Sequence, residues 1–306
     1  MSVFIPKDVK TRPITIIGGG TLGRRIALMM STQGGEVRLF DSNRRSREEA
    51  IKFVADTLPT VLPSVPNGSP AKLIASDALS EAVRDAWLVF EVIPERLELK
   101  KDIFGQLDSI CPSNVILASN SSSYPSSQFI DKVVHPERVL STHFYMPPDV
   151  RVVELMSSGK TDPAIIDFLM DDFKRFGLSP FRVLRESVGF IFNRIWAAIK
   201  RESLWVVAEG VSTPEDVDRI YQLFTGSDAG PFREMDMVGL DVVLDIENHY
   251  AGIRPGIPEA PRTLLKSYLE KGWAGRKTGR GFYDDYKKED GSGQGHGAKG
   301  TISSHV

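Results

Sequence analysis

The sequence predicts an α/β protein with a Rossmann-like, doubly wound N-terminal domain followed by a second, all-helical C-terminal domain. Three observations carry this reading. Short apolar runs alternate with helical patterns as far as Val183, the first run stops in a cluster of glycines that leads into a helix, and after Val183 the strand-like runs give way to successive helices. At roughly 100–200 residues per domain, 306 residues argue for about two domains.

The elements follow in order. Residues 14–17 form the first apolar run, and Leu22, Ile26, Leu28, Met29 and Met30 follow at approximately helical spacing, which reads as strand, tight turn and helix. Residues 37–40 read as a buried strand ending in Asp41, and residues 46–57 as a polar helix. Pro59, Pro63, Pro66 and Pro70 then forbid a continuous helix. Residues 87–93, 115–118 and 139–144 are further strand-like runs, separated by helical patterns such as 97–110. Strands alternating with helices imply a parallel sheet covered on both faces. Beyond it, 190–207, 214–224, 238–250 and 261–271 read as helices, which sets a boundary near Glu186. The chain is thus expected to divide into a dinucleotide-binding domain (1–186), a helical domain (187–286) and a Gly-, Ser- and Lys-rich tail (287–306) that stays mobile.

Composition narrows the function. Lys and Arg number 38 against 40 Asp and Glu, a formal net charge of −2, so no electrostatic excess is available and no nucleic-acid partner is expected. The most apolar stretches, 87–93 and 189–199, fall well short of the ~20 residues a membrane span requires, and no membrane partner is expected. The lone cysteine, Cys111, cannot form an intramolecular disulfide, and the N-terminus carries no secretory or transit pattern, so the expected location is cytoplasmic. No metal site is expected.

Gly18-Gly19-Gly20-Thr21-Leu22-Gly23 fits G-x-G-x-x-G, a weak signal alone but a strong one between a strand and a helix. Gly18 permits the turn, Gly20 lets the backbone approach a pyrophosphate, and Gly23 lets the helix pack close to the strand. Thr21 and Leu22 open the helix, whose N-terminus would face the phosphates. Asp41 stands where an acidic residue would hydrogen-bond a ribose 2′-hydroxyl, which favours NAD over NADP, although Arg44 and Arg45 could receive a 2′-phosphate.

Several segments taken together resemble the 3-hydroxyacyl-CoA dehydrogenase family, which also contains relatives acting on free hydroxy acids such as L-gulonate and carnitine. The resemblance runs from Ile14 to Tyr286. It rests on Gly18 to Gly23, on Phe90-Glu91-Val92-Ile93-Pro94-Glu95 with Leu97 and Lys100, on Ala118-Ser119-Asn120-Ser121-Ser122-Ser123, and on His143-Phe144 with Glu154. Gly189-Phe190-Ile191-Phe192-Asn193-Arg194, Gly230-Pro231-Phe232, Val238-Gly239-Leu240-Asp241 and the 275–283 segment extend it into the second domain.

The resemblance implies a dinucleotide-binding domain plus a helical domain that forms a homodimer, and hydride transfer between NAD(H) and a 3-hydroxy/3-oxo substrate. It implies His143 as acid/base catalyst, with Glu154 as its partner; a histidine of pKa near 6.5 can take and return a hydroxyl proton around neutral pH. Ser122 would hydrogen-bond the reacting oxygen, and Asn193 would approach the same region from the second domain. Glu95, Lys100, Asn120, Ser122 and Lys277 are implied as cofactor contacts. The plainer alternatives are a solvated Glu95–Lys100 pair and, at 120–123, a polar turn of common capping residues. Decarboxylating dehydrogenases of similar build would carry a lysine in the 189–193 segment, where Asn193 stands.

Two departures bear on the substrate. The family's Asn-Pro pair after His-Phe is replaced by Tyr145-Met146-Pro147, and the interval from His143 to Glu154 is one residue shorter than the acyl-CoA pattern. Where acyl-CoA members carry a Lys-rich helical hairpin that contacts CoA, residues 56–70 are proline-broken and devoid of lysine. The expected substrate is an acyl-CoA thioester; the alternatives are a non-CoA hydroxy acid or biosynthetic ketone or imine, and, in a different class, a catalytically inactive dinucleotide-binding protein.

Overall fold

The computed structural model describes residues 5–6 and 8–286; the expected mobile tail, 287–306, lies outside them. The described chain divides into two compact units, one ending at Ile191 and the other beginning at Phe192. That division falls five residues beyond the expected boundary, so the glycine-led segment 189–191 belongs to the first unit rather than the second.

The first unit is built on one eight-stranded sheet. Its strands are β1 (Ile14–Ile17), β2 (Glu36–Phe40), β3 (Lys72–Ser76), β4 (Leu88–Glu91), β5 (Ile116–Ser119), β6 (Val139–Phe144), β7 (Val152–Ser157) and β8 (Ser179–Val183). Their order is β3-β2-β1-β4-β5-β6-β7-β8. All neighbouring pairs are parallel except β6–β7, which is antiparallel. The winding direction reverses between β1 and β4, and in such sheets ligands bind beyond the strand C-termini at that crevice.

Helices α1 (Thr21–Met30), α2 (Arg44–Val61), α3 (Leu79–Ala82), α4 (Leu97–Ile110) and α5 (Pro163–Arg175) complete the unit. The strands β1, β4 and β5 are buried along their whole length, as a sheet covered on both faces requires. One apolar layer includes Ile16, Ile26, Trp87, Phe90 and Phe173, and another Ile17, Val89, Phe104 and Phe129.

The expectations for this unit need three corrections. Strands β3, β7 and β8 were not anticipated: β3 is nowhere buried, and β8 interleaves exposed Ser179, Phe181 and half-buried positions, so neither shows an apolar run. The sheet is mixed rather than wholly parallel. The second helix passes through Pro59 but ends two residues later at Val61, where a 3-10 turn, Leu62–Ser64, takes over, so the proline-rich stretch is not a continuous helix.

The second unit holds α6 (Phe192–Ala208), α7 (Pro214–Thr225), α8 (Pro231–Val238), α9 (Leu240–Ile253) and α10 (Ala260–Leu269) around Leu204, Phe232, Met235, Leu240, Val243 and Leu265. Helix α8, short and ended by Gly239 at φ 106°, was not anticipated. The 275–283 segment is a packing device. Asp236 accepts the amides of Phe282 and Tyr283, both at 2.9 Å, and a Cβ on Gly281 or Gly275 would stand 2.0 or 2.3 Å from Asp236.

Candidate active site

The glycine turn sits at the C-terminal edge of β1, at the reversal of winding. A Cβ on Gly18 would lie 2.4 Å from the Val92 carbonyl oxygen and one on Gly23 1.9 Å from that of Gly18; Gly18 moreover has φ 110°. Those two glycines are demanded by the protein's own backbone. At Gly20 the same construction meets nothing within 4 Å, so this glycine leaves open a space that no protein atom fills. Gly20 is the N-cap of α1 and supplies no side-chain cap, which leaves the first amides of the helix for an anion.

In front of the turn lies a cleft of about 240 Å³ lined by Gly20, Thr21, Leu22, Gly23, Val92, Ile93, Glu95, Asn120 and Ser122. The ends of β1, β4 and β5 thus meet around one space, and seven of the residues expected to bind cofactor are among its walls. The donor set fits a dinucleotide: open backbone at Gly20, free helix amides, and an acidic side chain at the end of β2. Asp41 Oδ2 accepts the Gly19 amide at 2.7 Å and Oδ1 that of Asn43 at 2.8 Å, so the carboxylate braces the glycine turn. Arg44 and Arg45 are turned to Glu48 and Glu49, each at 2.7 Å.

Lys100 lies inside the fold and not on a solvated helix face. Only 1% exposed, it bonds Glu91 at 2.9 Å and Glu95 at 3.1 Å. Glu91, with no exposed side-chain surface, also accepts the Ser119 hydroxyl at 2.6 Å and the Ile93 amide at 2.9 Å. Burial pushes the Glu95 carboxyl up, but the Lys100 charge, the Ser121 hydroxyl and the Ser123 amide outweigh it and hold the group below the usual carboxylate range. The bonds to Ser121 and Ser123 flank Ser122, so the buried lysine acts through Glu95 to fix the turn that presents Ser122 to the cleft.

Asn120 spends its side-chain oxygen on the Phe144 amide, at 2.9 Å, tying the end of β5 to β6. Its contribution to the cleft is therefore its remaining amide group. Lys277, in the second unit, is paired with Asp241 at 2.5 Å, and Asn193 stands in the first turn of α6.

Antiparallel pairing of β6 with β7 puts His143 directly opposite Glu154. Residues facing each other in such a ladder have neighbouring side chains, and His143 Nδ1 lies 3.3 Å from Glu154 Oε2. Both are enclosed, at 6% and 2% exposure. Glu154 Oε1 accepts the Ile191 amide at 2.9 Å, and Phe190, at φ 52°, stacks on the imidazole with centroids 4.9 Å apart. Tyr145 meets the imidazole edge-on at 4.6 Å and donates its hydroxyl to Glu154 Oε2 at 2.8 Å.

Glu91, Tyr145 and Phe190 went unnoticed as site residues. The strand period of two, which brings Tyr145 to the side of β6 that carries His143, was the available signal for Tyr145. Glu91 offered none beyond its place in the 90–95 segment, because a carboxylate at a strand end reads as solvated until its partners are seen. Cys111 is no nucleophile: burial pushes its thiol up to about 12. Among the described residues no cluster of His, Cys, Asp and Glu could hold a metal ion, and no helix is long and apolar enough to cross a membrane.

Comparison with known proteins bears directly on this arrangement. Residues 13–187 match the NAD binding domain of 3-hydroxyacyl-CoA dehydrogenase, and residues 189–285 match its C-terminal domain. The chain belongs to the 3-hydroxyacyl-CoA dehydrogenase family. It is 32% identical to a probable 3-hydroxybutyryl-CoA dehydrogenase of Bacillus subtilis over 92% of this chain and 99% of that protein. It is also 30% identical to 5-formyl-3-hydroxy-2-methylpyridine 4-carboxylate 5-dehydrogenase of Mesorhizobium japonicum, over 89% of this chain and 90% of that one. Among solved structures, (S)-3-hydroxybutyryl-CoA dehydrogenase from Ralstonia eutropha superposes with a TM-score of 0.79 at 28% identity, covering 91% of this chain and all of the other. As a member of the 3-hydroxyacyl-CoA dehydrogenase family, this chain is an NAD-dependent oxidoreductase of hydroxyacyl-CoA dehydrogenase type, and its first unit is the NAD-binding domain.

Proposed function

We propose that the protein interconverts a 3-hydroxy and a 3-oxo compound, with His143 as the proton-transferring residue and Glu154 as its partner. The observation that carries the reading is the cross-strand pair itself, a 3.3 Å Nδ1–carboxylate contact enclosed beside the cofactor-type cleft's own sheet edge. With Nδ1 directed to Glu154, the tautomer that bears its proton there leaves Nε2 to take a proton from a hydroxyl or to return it to an alkoxide. The buried carboxylate stabilises the imidazolium formed in between. NAD, when bound, accepts or supplies the hydride.

The chain's residues have separable parts. The open backbone at Gly20 and the amides of Thr21 and Leu22 receive the pyrophosphate, Gly18 and Gly23 shape the turn, and Asp41 receives the ribose while bracing Gly19. Arg44 and Arg45 are committed to glutamates, which supports NAD over NADP. Ser122, held by the Glu95 bonds on either side, donates to the reacting oxygen, and Asn120 borders the cofactor. Asn193 and Lys277 contribute from the second domain, the first to the reacting region and the second to the cofactor.

The substrate we favour is an acyl thioester of CoA. A non-CoA hydroxy acid or ketone is the second reading, supported by the segment 56–70: it forms a helix end and a 3-10 turn with no lysine, where CoA-contacting members carry a Lys-rich hairpin. The protein acts as a homodimer joined through its helical domain, where Ile220, Leu223 and Phe224 form an exposed apolar stripe on α7 at helical spacing. Its setting is the cytoplasm, which suits a lone free thiol.

The test is NADH oxidation with acetoacetyl-CoA, run beside NADPH and beside free acetoacetate. Turnover with NADH and the thioester, abolished in His143→Ala while NADH still binds, is the expected result. Turnover retained by His143→Ala would sink the acid/base assignment, and turnover with free acetoacetate alone would move the substrate to the second reading.

A further inference from the structure

One hydroxyl in the first unit has no part in the proton transfer proposed above, yet it binds the carboxylate on which that transfer rests. Tyr145 follows β6 two residues after His143, so the strand's alternation carries its ring to the same side, and its amide continues the ladder by donating to the Val152 carbonyl at 3.3 Å. Its hydroxyl donates at 2.8 Å to Glu154 Oε2, the same oxygen that faces His143 Nδ1 at 3.3 Å. The other oxygen of Glu154 accepts the Ile191 amide. One carboxylate thus receives hydrogen bonds from the end of β6 and from the segment after β8, and at Oε2 the phenol lies closer than the imidazole.

We propose that Tyr145 is a positioning residue for the His143–Glu154 pair: its phenol fixes the carboxylate and moderates the pull of Glu154 on the imidazole proton. This rests on the reading of His143 and Glu154 as the acid/base pair. Two consequences follow from the geometry. The phenol and the Ile191 amide clamp opposite oxygens, so the carboxylate cannot rotate away from Nδ1 without losing a bond. A hydrogen bond donated to a carboxylate also disperses its charge, and a carboxylate so satisfied attracts a neighbouring imidazolium less strongly. A proton-transferring residue must release its proton as readily as it takes it, and an acceptor with an unshared charge would hold the imidazole protonated too long.

The groups around the imidazole set the sign. Glu154 faces it from β7 and Tyr145 from its own strand, the segment after β8 stacks the uncharged Phe190 ring on it, and the Ile191 amide binds the far oxygen of Glu154. Removing the phenol while keeping the ring concentrates charge on the one carboxylate nearest to Nδ1, so the imidazole should hold its proton to higher pH.

The experiment is Tyr145→Phe in the full chain, read in two ways. The first is the histidine ring titration by ¹H–¹⁵N NMR of ¹⁵N-histidine protein, with the His143 signal identified by its loss in His143→Gln. The second is steady-state NADH oxidation with acetoacetyl-CoA or acetoacetate, whichever the protein turns over. The expected result is a His143 titration displaced to higher pH in Tyr145→Phe, with kcat lowered about three- to tenfold and KM for NADH within about twofold of the unmodified protein. A midpoint that stays in place or falls overturns the proposal. The two readings fail separately: His143→Gln retaining turnover would remove the acid/base assignment, whereas an unmoved midpoint beside an inactive His143→Gln would remove only the role of Tyr145.

Discussion

At the scale of single residues, Gly20 and Gly23 belong to one motif and answer to different masters. Gly23 is required by the fold, because a Cβ there would stand 1.9 Å from the Gly18 carbonyl oxygen, whereas at Gly20 a Cβ would meet no protein atom within 4 Å. Gly20→Ala is accordingly expected to leave thermal stability unchanged and to raise the Kd for NADH about tenfold, while Gly23→Ala loses about 1–3 kcal/mol of stability. Thermal melts alongside NADH fluorescence titrations check both, and equal destabilisation by the two alanines would contradict the division. Asp41→Ala should weaken NADH more than NADPH, since the carboxylate that favours a free 2′-hydroxyl is removed; an unchanged ratio of the two affinities would show that Asp41 only braces Gly19.

At the scale of elements, the buried lysine of α4 shows how a strand end, a helix and a turn are made to agree. Lys100 lies between Glu91 and Glu95, and removing it by Lys100→Met strands a fully buried Glu91 carboxylate. A loss of about 3–5 kcal/mol is expected, as for other buried pairs broken on one side. The loss should depend on pH. Glu95 is held below its ordinary value, burial notwithstanding, by Lys100 and its hydrogen bonds, so its contribution is present above the usual carboxylate range and disappears as pH falls through the lowered value. The stability gap between Lys100→Met and the unmodified protein should therefore narrow below about pH 4.5; denaturant melts at a series of pH values measure it, and a constant gap would remove Glu95 from the account.

These elements also show what the amino-acid order reveals and what it conceals. β1, α1 and the turn between them are legible because an apolar run, glycines at fixed offsets and a helical period agree locally. β3, β7 and β8 are not, because their strands exist by pairing: β3 is held by its register to β2 while burying none of its side chains fully, and β7 is fixed by β6 across an antiparallel ladder. His143 and Glu154 were recognisable by resemblance, but their contact depends on that ladder. Lys100 carried the opposite lesson: a lysine on a helix reads as solvated, and its burial follows from two carboxylates that sequence spacing does not bring together.

At the scale of the molecule, a dinucleotide domain and a helical domain are each closed by their own polar ties. In the helical domain Asp218 accepts the amides of Phe232 and Arg233 and the Tyr283 hydroxyl, while Asp236 accepts the Phe282 and Tyr283 amides and the Tyr286 hydroxyl. What those ties leave uncovered is the stripe on α7, where Phe224 is 92% exposed beside Leu223 and Ile220. If the proposed homodimer forms through this stripe, Phe224→Glu yields a species of one chain's mass in light scattering while leaving the helical content by circular dichroism intact. A dimer that survives this charge would move the interface elsewhere.

The opposed placement of His143 and Glu154 has one more consequence. Their meeting is dictated by strand register, His143 against Glu154 and Phe144 against Val153. The residues that join the two strands, Tyr145 to Arg151 with Met146 and Pro147 among them, stand outside the five paired positions. Substitutions within 146–151 that keep this register are therefore expected to preserve the contact between the two side chains, so the joining loop and the facing pair can vary separately.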